Sequence, residues 1–105
     1  MTEKPTTDAG DRFEKLLALI ERLRNPSGGC PWDIRQKKED VGRYLLDETY
    51  EVLEAIGEGS PAAMREELGD LLFMILFLSR IAEEEALFSI CSLMFNVVLI
   101  HINMH

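Results

Sequence analysis

Apolar residues recur at three- and four-residue steps through Phe13, Leu16, Leu17, Ile20 and Leu23. This spacing predicts an amphipathic helix over residues 11–24 with Asp11 as its N-cap. Asn25-Pro26-Ser27-Gly28-Gly29 ends it, and Cys30-Pro31-Trp32-Asp33, with its proline after two glycines, reads as a loop carrying the only tryptophan. A second helix is predicted from about residue 37 to 56, where Val41, Leu45, Val52 and Ile56 keep helical spacing. Gly57-Glu58-Gly59-Ser60-Pro61 then supplies a stop and a fresh start, with Ser60 capping a third helix over residues 61–85 and Pro61 in its first position. That helix is nearly all apolar from Leu71 to Leu78, the pattern of a helix enclosed by others in a bundle or at a dimer interface. No segment alternates as a half-buried strand does and no repeat of 20–50 residues is present, so the expected fold is all-α, an antiparallel helical bundle completed by oligomerisation.

The two ends differ from this middle. Residues 1–10 are polar and rich in Thr, Pro, Asp and Gly, and read as a disordered leader. They lack the basic start and apolar stretch of a secretory signal, so a cytoplasmic location is expected. Residues 90–105 are apolar and contain no Lys, Arg, Asp or Glu, and read either as a further helix or as a strand-prone tail. Crossing a bilayer takes roughly 20 apolar residues. Ser92, Asn96, His101 and Asn103 interrupt this run, so no membrane partner is expected.

Length, charge and cysteine content narrow the function. A chain of 105 residues builds a modest core, which makes self-association an expected route to stability. With 19 acidic against 11 basic residues the net charge is -8, and no basic run exceeds Lys37-Lys38, so a nucleic-acid polymer is not an expected partner. Cys30 and Cys91 form no CxxC or Cys/His cluster, which argues against a disulfide scaffold or a zinc site.

The informative acids lie in the second and third helices. Glu48 belongs to the apolar series Val41, Leu45, Glu48, Val52, and so projects toward other helices; Glu51 follows one turn later. Glu67 and Asp70 have the same spacing beside Leu68 and Leu71. Glu48 and Asp70 are equidistant from Gly59, and so are Glu51 and Glu67. An antiparallel hairpin turning at Gly59 would therefore set the two pairs level. Four converging carboxylates are unfavourable unless their pKa values rise or cations bind, and an all-oxygen set selects Mg²⁺ or Mn²⁺. The opposing reading is a solvated helix surface with Arg43 and Arg65 as ion-pair partners. Glu54, Glu58, Glu66 and the Glu83-Glu84-Glu85 run read as solvated charge.

Three stretches, Gly29-Cys30-Pro31-Trp32-Asp33, Asp47-Glu48-Thr49-Tyr50-Glu51-Val52 and Glu66-Glu67-Leu68-Gly69-Asp70-Leu71-Leu72, together resemble MazG-type nucleoside triphosphate pyrophosphohydrolases over residues 11–89. The resemblance implies a helical domain that packs with a second subunit as a homodimer or homotetramer. It also implies hydrolysis of nucleoside triphosphates to monophosphate and pyrophosphate, a housecleaning of the nucleotide pool. It assigns Glu48, Glu51, Glu67 and Asp70 to magnesium; a carboxylate not fully engaged with metal could take the proton from water, and Glu48 and Glu51 are the candidates for that base. In such a protein Trp32 either stacks on the nucleobase or plugs the helix junction. Arg35, Lys37, Lys38 and Arg43 either neutralise phosphate oxygens or remain surface charges. The chain departs from the family at Asp47, where Glu is more usual, and beyond Ser89, where a basic, histidine-containing stretch is expected and Ile90–His105 has no Lys or Arg. That departure supports an alternative, a non-catalytic or impaired helical module for oligomerisation or nucleotide binding.

Overall fold

A computed structural model describes residues 8–104. They form five helices, α1 (Ala9–Leu23), α2 (Pro31–Ile34), α3 (Lys38–Glu58), α4 (Pro61–Glu84) and α5 (Ile90–Met104), and no strand occurs among them. Among the described residues, 8–34 and 35–104 are separate compact units.

In the first unit α1 starts two residues earlier than its periodicity predicts. Asp8, not Asp11, is the N-cap: its carboxylate accepts the Asp11 N–H at 3.1 Å. Asp11 instead pairs with Lys15 at 3.3 Å, one turn along an exposed face. Ala9 and Gly10 are therefore helical, while positions 1–7 of the expected leader lie outside the described residues.

The segment predicted as a loop at Cys30–Asp33 is instead a single helical turn. Pro31 stands in its first position, where a missing N–H costs nothing, and the Ile34 N–H reaches the Cys30 carbonyl at 2.9 Å. Its exposed C-terminal carbonyls are satisfied by the Arg24 guanidinium, which donates to Asp33 O at 2.8 Å and Ile34 O at 3.2 Å. The approach to this turn needs glycine twice. Gly28 has φ +94°, and a Cβ on Gly29 would fall under 3.0 Å from the carbonyl oxygens of Arg22, Leu23 and Asn25. Gly29→Ala is expected to cost on the order of 2–3 kcal/mol, read as a lowered midpoint in urea denaturation.

In the second unit α3 and α4 form an antiparallel hairpin. α3 runs two residues past the expected stop and ends at Gly59, whose φ of 71° is the left-handed conformation that suits glycine. Ser60 then caps α4 as expected, its hydroxyl accepting the Ala63 N–H at 3.2 Å. The hairpin buries Val41, Val52 and Ala55 of α3 and Leu76, Phe77, Ile81 and Ala82 of α4. At the open end Lys38 Nζ meets Glu85 Oε1 at 2.8 Å, tying the start of α3 to the end of α4.

The apolar run of α4 is only partly enclosed. Leu68, Leu72 and Ile75 remain exposed, as do Leu46, Tyr50 and Leu53, which lie on the face of α3 away from Val52 and Ala55. After α4 the chain turns through Ala86, at φ 57°, and enters α5. Glu83, assigned above to solvated charge, accepts the Ile90 N–H at 2.7 Å. Ser89 accepts the Ser92 N–H at 2.9 Å, a second cap at the start of α5, and the tail is a helix.

Candidate metal centre

The hairpin register brings the expected acids together. Glu48 of α3 meets Glu67 and Asp70, one turn apart on α4, and each offers a carboxylate oxygen within 4.8 Å of the others. Glu48 is half-buried because it occupies a core-facing position between Val41 and Val52. Its Oε2 is buried and has no hydrogen-bond partner. A buried acceptor of this kind is costly unless the carboxyl holds a proton or a cation meets it.

Electrostatics describe the same cluster. The Glu48 pKa is raised, first by burial and then by the charges of Asp70, Glu51 and Asp47. That of Glu67 is raised by burial and then by Glu51, Asp70, Glu48 and Glu66. The strongest charged neighbour of Glu48 is thus Asp70 and that of Glu67 is Glu51, the two pairings expected from symmetry about Gly59. Glu51 itself is exposed at the margin of the three-carboxylate group. Among the described residues no cation pairs with any of the four acids, and Arg43 is taken by Asp40 at 2.9 Å. The ion pairs with Arg43 and Arg65 that the solvated-surface reading expects are not formed among the described residues, although Glu51 and Asp70 are exposed.

The basic residues are placed elsewhere. Lys38 stands ten residues before Glu48, about 15 Å along the helix, and is held by Glu85. Lys37 is the N-cap residue of α3 and its N–H donates to Asp40 Oδ2 at 3.0 Å; Arg35 precedes it on the surface. Trp32 is 48% exposed on α2 in the first unit.

One feature escapes sequence reasoning. Gln36, Asp40, Arg43, Tyr44 and Asp47 line an open groove of about 370 Å³ on α3. Its polar stripe at three- and four-residue spacing leads directly to Glu51, a pattern present in the sequence but obscured by attention to the apolar face.

Fold and site together define an all-α hairpin protein with a cluster of three carboxylates that could hold a metal ion. The comparisons carry this to a family: residues 36–99 match the MazG nucleotide pyrophosphohydrolase domain, and the chain belongs to that family. It is 45% identical over 78 residues to a nucleoside triphosphate pyrophosphohydrolase of Escherichia coli K12, a match covering 74% of this chain and 30% of that protein. It is 45% identical over 83 residues to the nucleoside triphosphate pyrophosphohydrolase/pyrophosphatase MazG of Thermotoga maritima, covering 79% of this chain and 32% of that one. The chain thus spans about a third of the length of these relatives. Its fold is similar to the crystal structure of a mazG-related protein from Thermotoga maritima, with a TM-score of 0.70, 34% identity, and coverage of 81% of this chain and 72% of the other.

Proposed function

We propose that the chain is a Mg²⁺-dependent hydrolase that converts nucleoside triphosphates to monophosphate and pyrophosphate, serving nucleotide housecleaning in the cytoplasm. The observation that carries this reading is the unpartnered, buried Oε2 of Glu48 facing two further carboxylates. The donor set is all oxygen and anionic, which fits Mg²⁺, with Mn²⁺ as a substitute. Glu48, Glu67 and Asp70 would hold the ion, with Glu51 beside them at the margin of the cluster. When bound, the cation screens the triphosphate from the carboxylates, polarises the phosphoryl group and lowers the pKa of the attacking water.

The chain's own groups supply the remainder. Glu48 is committed to the cluster by its burial, so Glu51, exposed at its margin, is the better placed of the two candidate bases to accept the proton as water opens the anhydride between the α and β phosphates. The groove along Tyr44, Arg43 and Gln36 leads from the acids toward Arg35, Lys37 and Lys38, which meet the outer part of the substrate once Lys38 releases Glu85. Trp32, with half its surface open, offers a flat face to a base, and quenching of its fluorescence by nucleotide tests that role. A second copy covers the exposed stripes Leu46, Tyr50, Leu53 and Leu68, Leu72, Ile75, giving a homodimer or homotetramer.

Glu51→Gln keeps size and shape and is expected to abolish turnover while circular dichroism shows unchanged helicity. Turnover at the wild-type rate would remove Glu51 from the site. The absence of Lys and Arg from α5 favours one other reading, a nucleotide-binding module without turnover. That reading expects wild type and Glu51→Gln to be equally inactive.

A further inference from the structure

The groove on α3 carries one cation, Arg43, and of the basic residues on that helix it stands nearest the acids. It precedes Glu48 by five residues, roughly 7–8 Å along the axis, whereas Lys38 is about twice as far. Around the axis Arg43 lies about 40° from Asp47 and about 80° from Glu51, on the side of α3 where the groove reaches the cluster. The other cations of the second unit are placed differently. Arg80 is held by Glu83 at 3.6 Å and Glu84 at 3.4 Å, and Lys38 is held by Glu85. Arg65 precedes Glu67 by two residues and Asp70 by five, which turns it about 140–160° away from both on α4. Arg35 and Lys37 lie beyond the far end of the groove, and α5 has neither Lys nor Arg.

Arg43 is positioned by the start of its own helix. Its Nη2 donates to Asp40 Oδ1 at 2.9 Å, while Asp40 Oδ2 accepts the Lys37 N–H at 3.0 Å. The helix cap thus fixes Asp40, and Asp40 fixes the guanidinium. The contact through Nη2 leaves the other N–H groups of a planar fork, whose geometry matches two oxygens of a phosphate. The two carboxylates of the groove set a condition on any anion that enters it. Asp40 is offset by Arg43, but Asp47 stands beside Glu48 and adds to the repulsion there, so the anion must arrive with a cation.

We propose that Arg43 binds the terminal phosphate of the nucleoside triphosphate and thereby sets a preference for triphosphates over shorter nucleotides, with Asp40 as the residue that positions it. This inference rests on the hydrolase reading, in which the α phosphate lies at the cluster. The β and γ phosphates then run along the groove toward the start of α3, and Arg43 is the first cation they meet.

The test reads binding and turnover separately. Calorimetry in saturating Mg²⁺ titrates inorganic pyrophosphate, which stands for the β and γ phosphates, into wild type, Arg43→Ala and Arg65→Ala. Arg43→Ala is expected to weaken pyrophosphate binding by about tenfold, the loss of one charge-assisted bidentate contact. Arg65→Ala removes the same charge from the opposite side of its helix and is expected to leave that affinity unchanged. Titration with Mg²⁺ alone is expected to give the same affinity in all three proteins, which separates a lost phosphate contact from a damaged cluster. In hydrolysis assays Arg43→Ala is expected to raise KM for nucleoside triphosphates by a similar factor with kcat nearly constant. Absence of pyrophosphate binding by wild type, equal affinity in wild type and Arg43→Ala, or an equal loss in Arg65→Ala would overturn the proposal. A wild type that binds pyrophosphate through Arg43 but hydrolyses no triphosphate would instead contradict the hydrolase reading and leave the assignment of Arg43 to a phosphate standing.

Discussion

Glu48→Gln is expected to lower turnover by about 10³-fold, equivalent to some 4 kcal/mol of transition-state stabilisation, and at the same time to make the metal-free protein more stable. The two effects have one cause. Glu48 is held among Asp70, Glu51 and Asp47, with one buried oxygen lacking any partner. Removing its charge relieves that repulsion, and the melting temperature of the metal-free variant is expected to rise. A structural glutamate would show the reverse, with stability lost on substitution. Calorimetry of chelator-treated wild type and variant at neutral pH checks the sign, and steady-state assays check the activity.

The second large effect is that of the ion itself. Mg²⁺ at 100 times its dissociation constant is expected to stabilise the fold by about 2.7 kcal/mol, a rise in melting temperature on the order of 10–20 °C. This rise should vanish in Glu48→Gln. It should also depend on pH, with a sign that follows from the raised pKa values. Glu48 and Glu67 retain protons in the folded chain above their ordinary value of 4.5. Over that interval the folded state binds more protons than the unfolded one, so metal-free stability falls as pH rises from 4.5 through the folded-state values. Asp40 acts oppositely: the Lys37 N–H holds its pKa below 3.8, and its contribution is lost as pH falls through the depressed folded value. Metal-free stability should therefore pass through a maximum in mild acid. Saturating Mg²⁺ should flatten its alkaline limb, as should Glu48→Gln. Melting curves from pH 3 to 8, with and without Mg²⁺, measure this directly.

The hairpin and its acid register were legible because local signals agreed. Gly59 can adopt the left-handed turn, Ser60 and Pro61 restart a helix, and apolar spacing on both sides sets Glu48 and Glu67 on the facing sides of the two helices. The proximity of Glu48, Glu67 and Asp70 followed from that register. What escaped depended on contacts distant in sequence or on competition between similar residues. Asp8 and Asp11 are both competent caps, and periodicity alone does not choose between them. The turn at Pro31–Ile34 is closed by the Arg24 side chain, which no local pattern announces. Glu85 binds a lysine 47 positions away, and Glu83 caps α5, although both stand in a run of acids that looks merely solvated. The tail was ambiguous because its β-branched residues favour strand, while its length and the Ser89 cap suit the helix it forms.

The measurement that bears most directly on the central claim is product analysis of the pure protein with a panel of nucleoside triphosphates and Mg²⁺, alongside chelator and Glu48→Gln controls. The account predicts nucleoside monophosphate and pyrophosphate in equal amounts, lost in both controls. Release of nucleoside diphosphate and phosphate, or turnover that persists in Glu48→Gln, would contradict it.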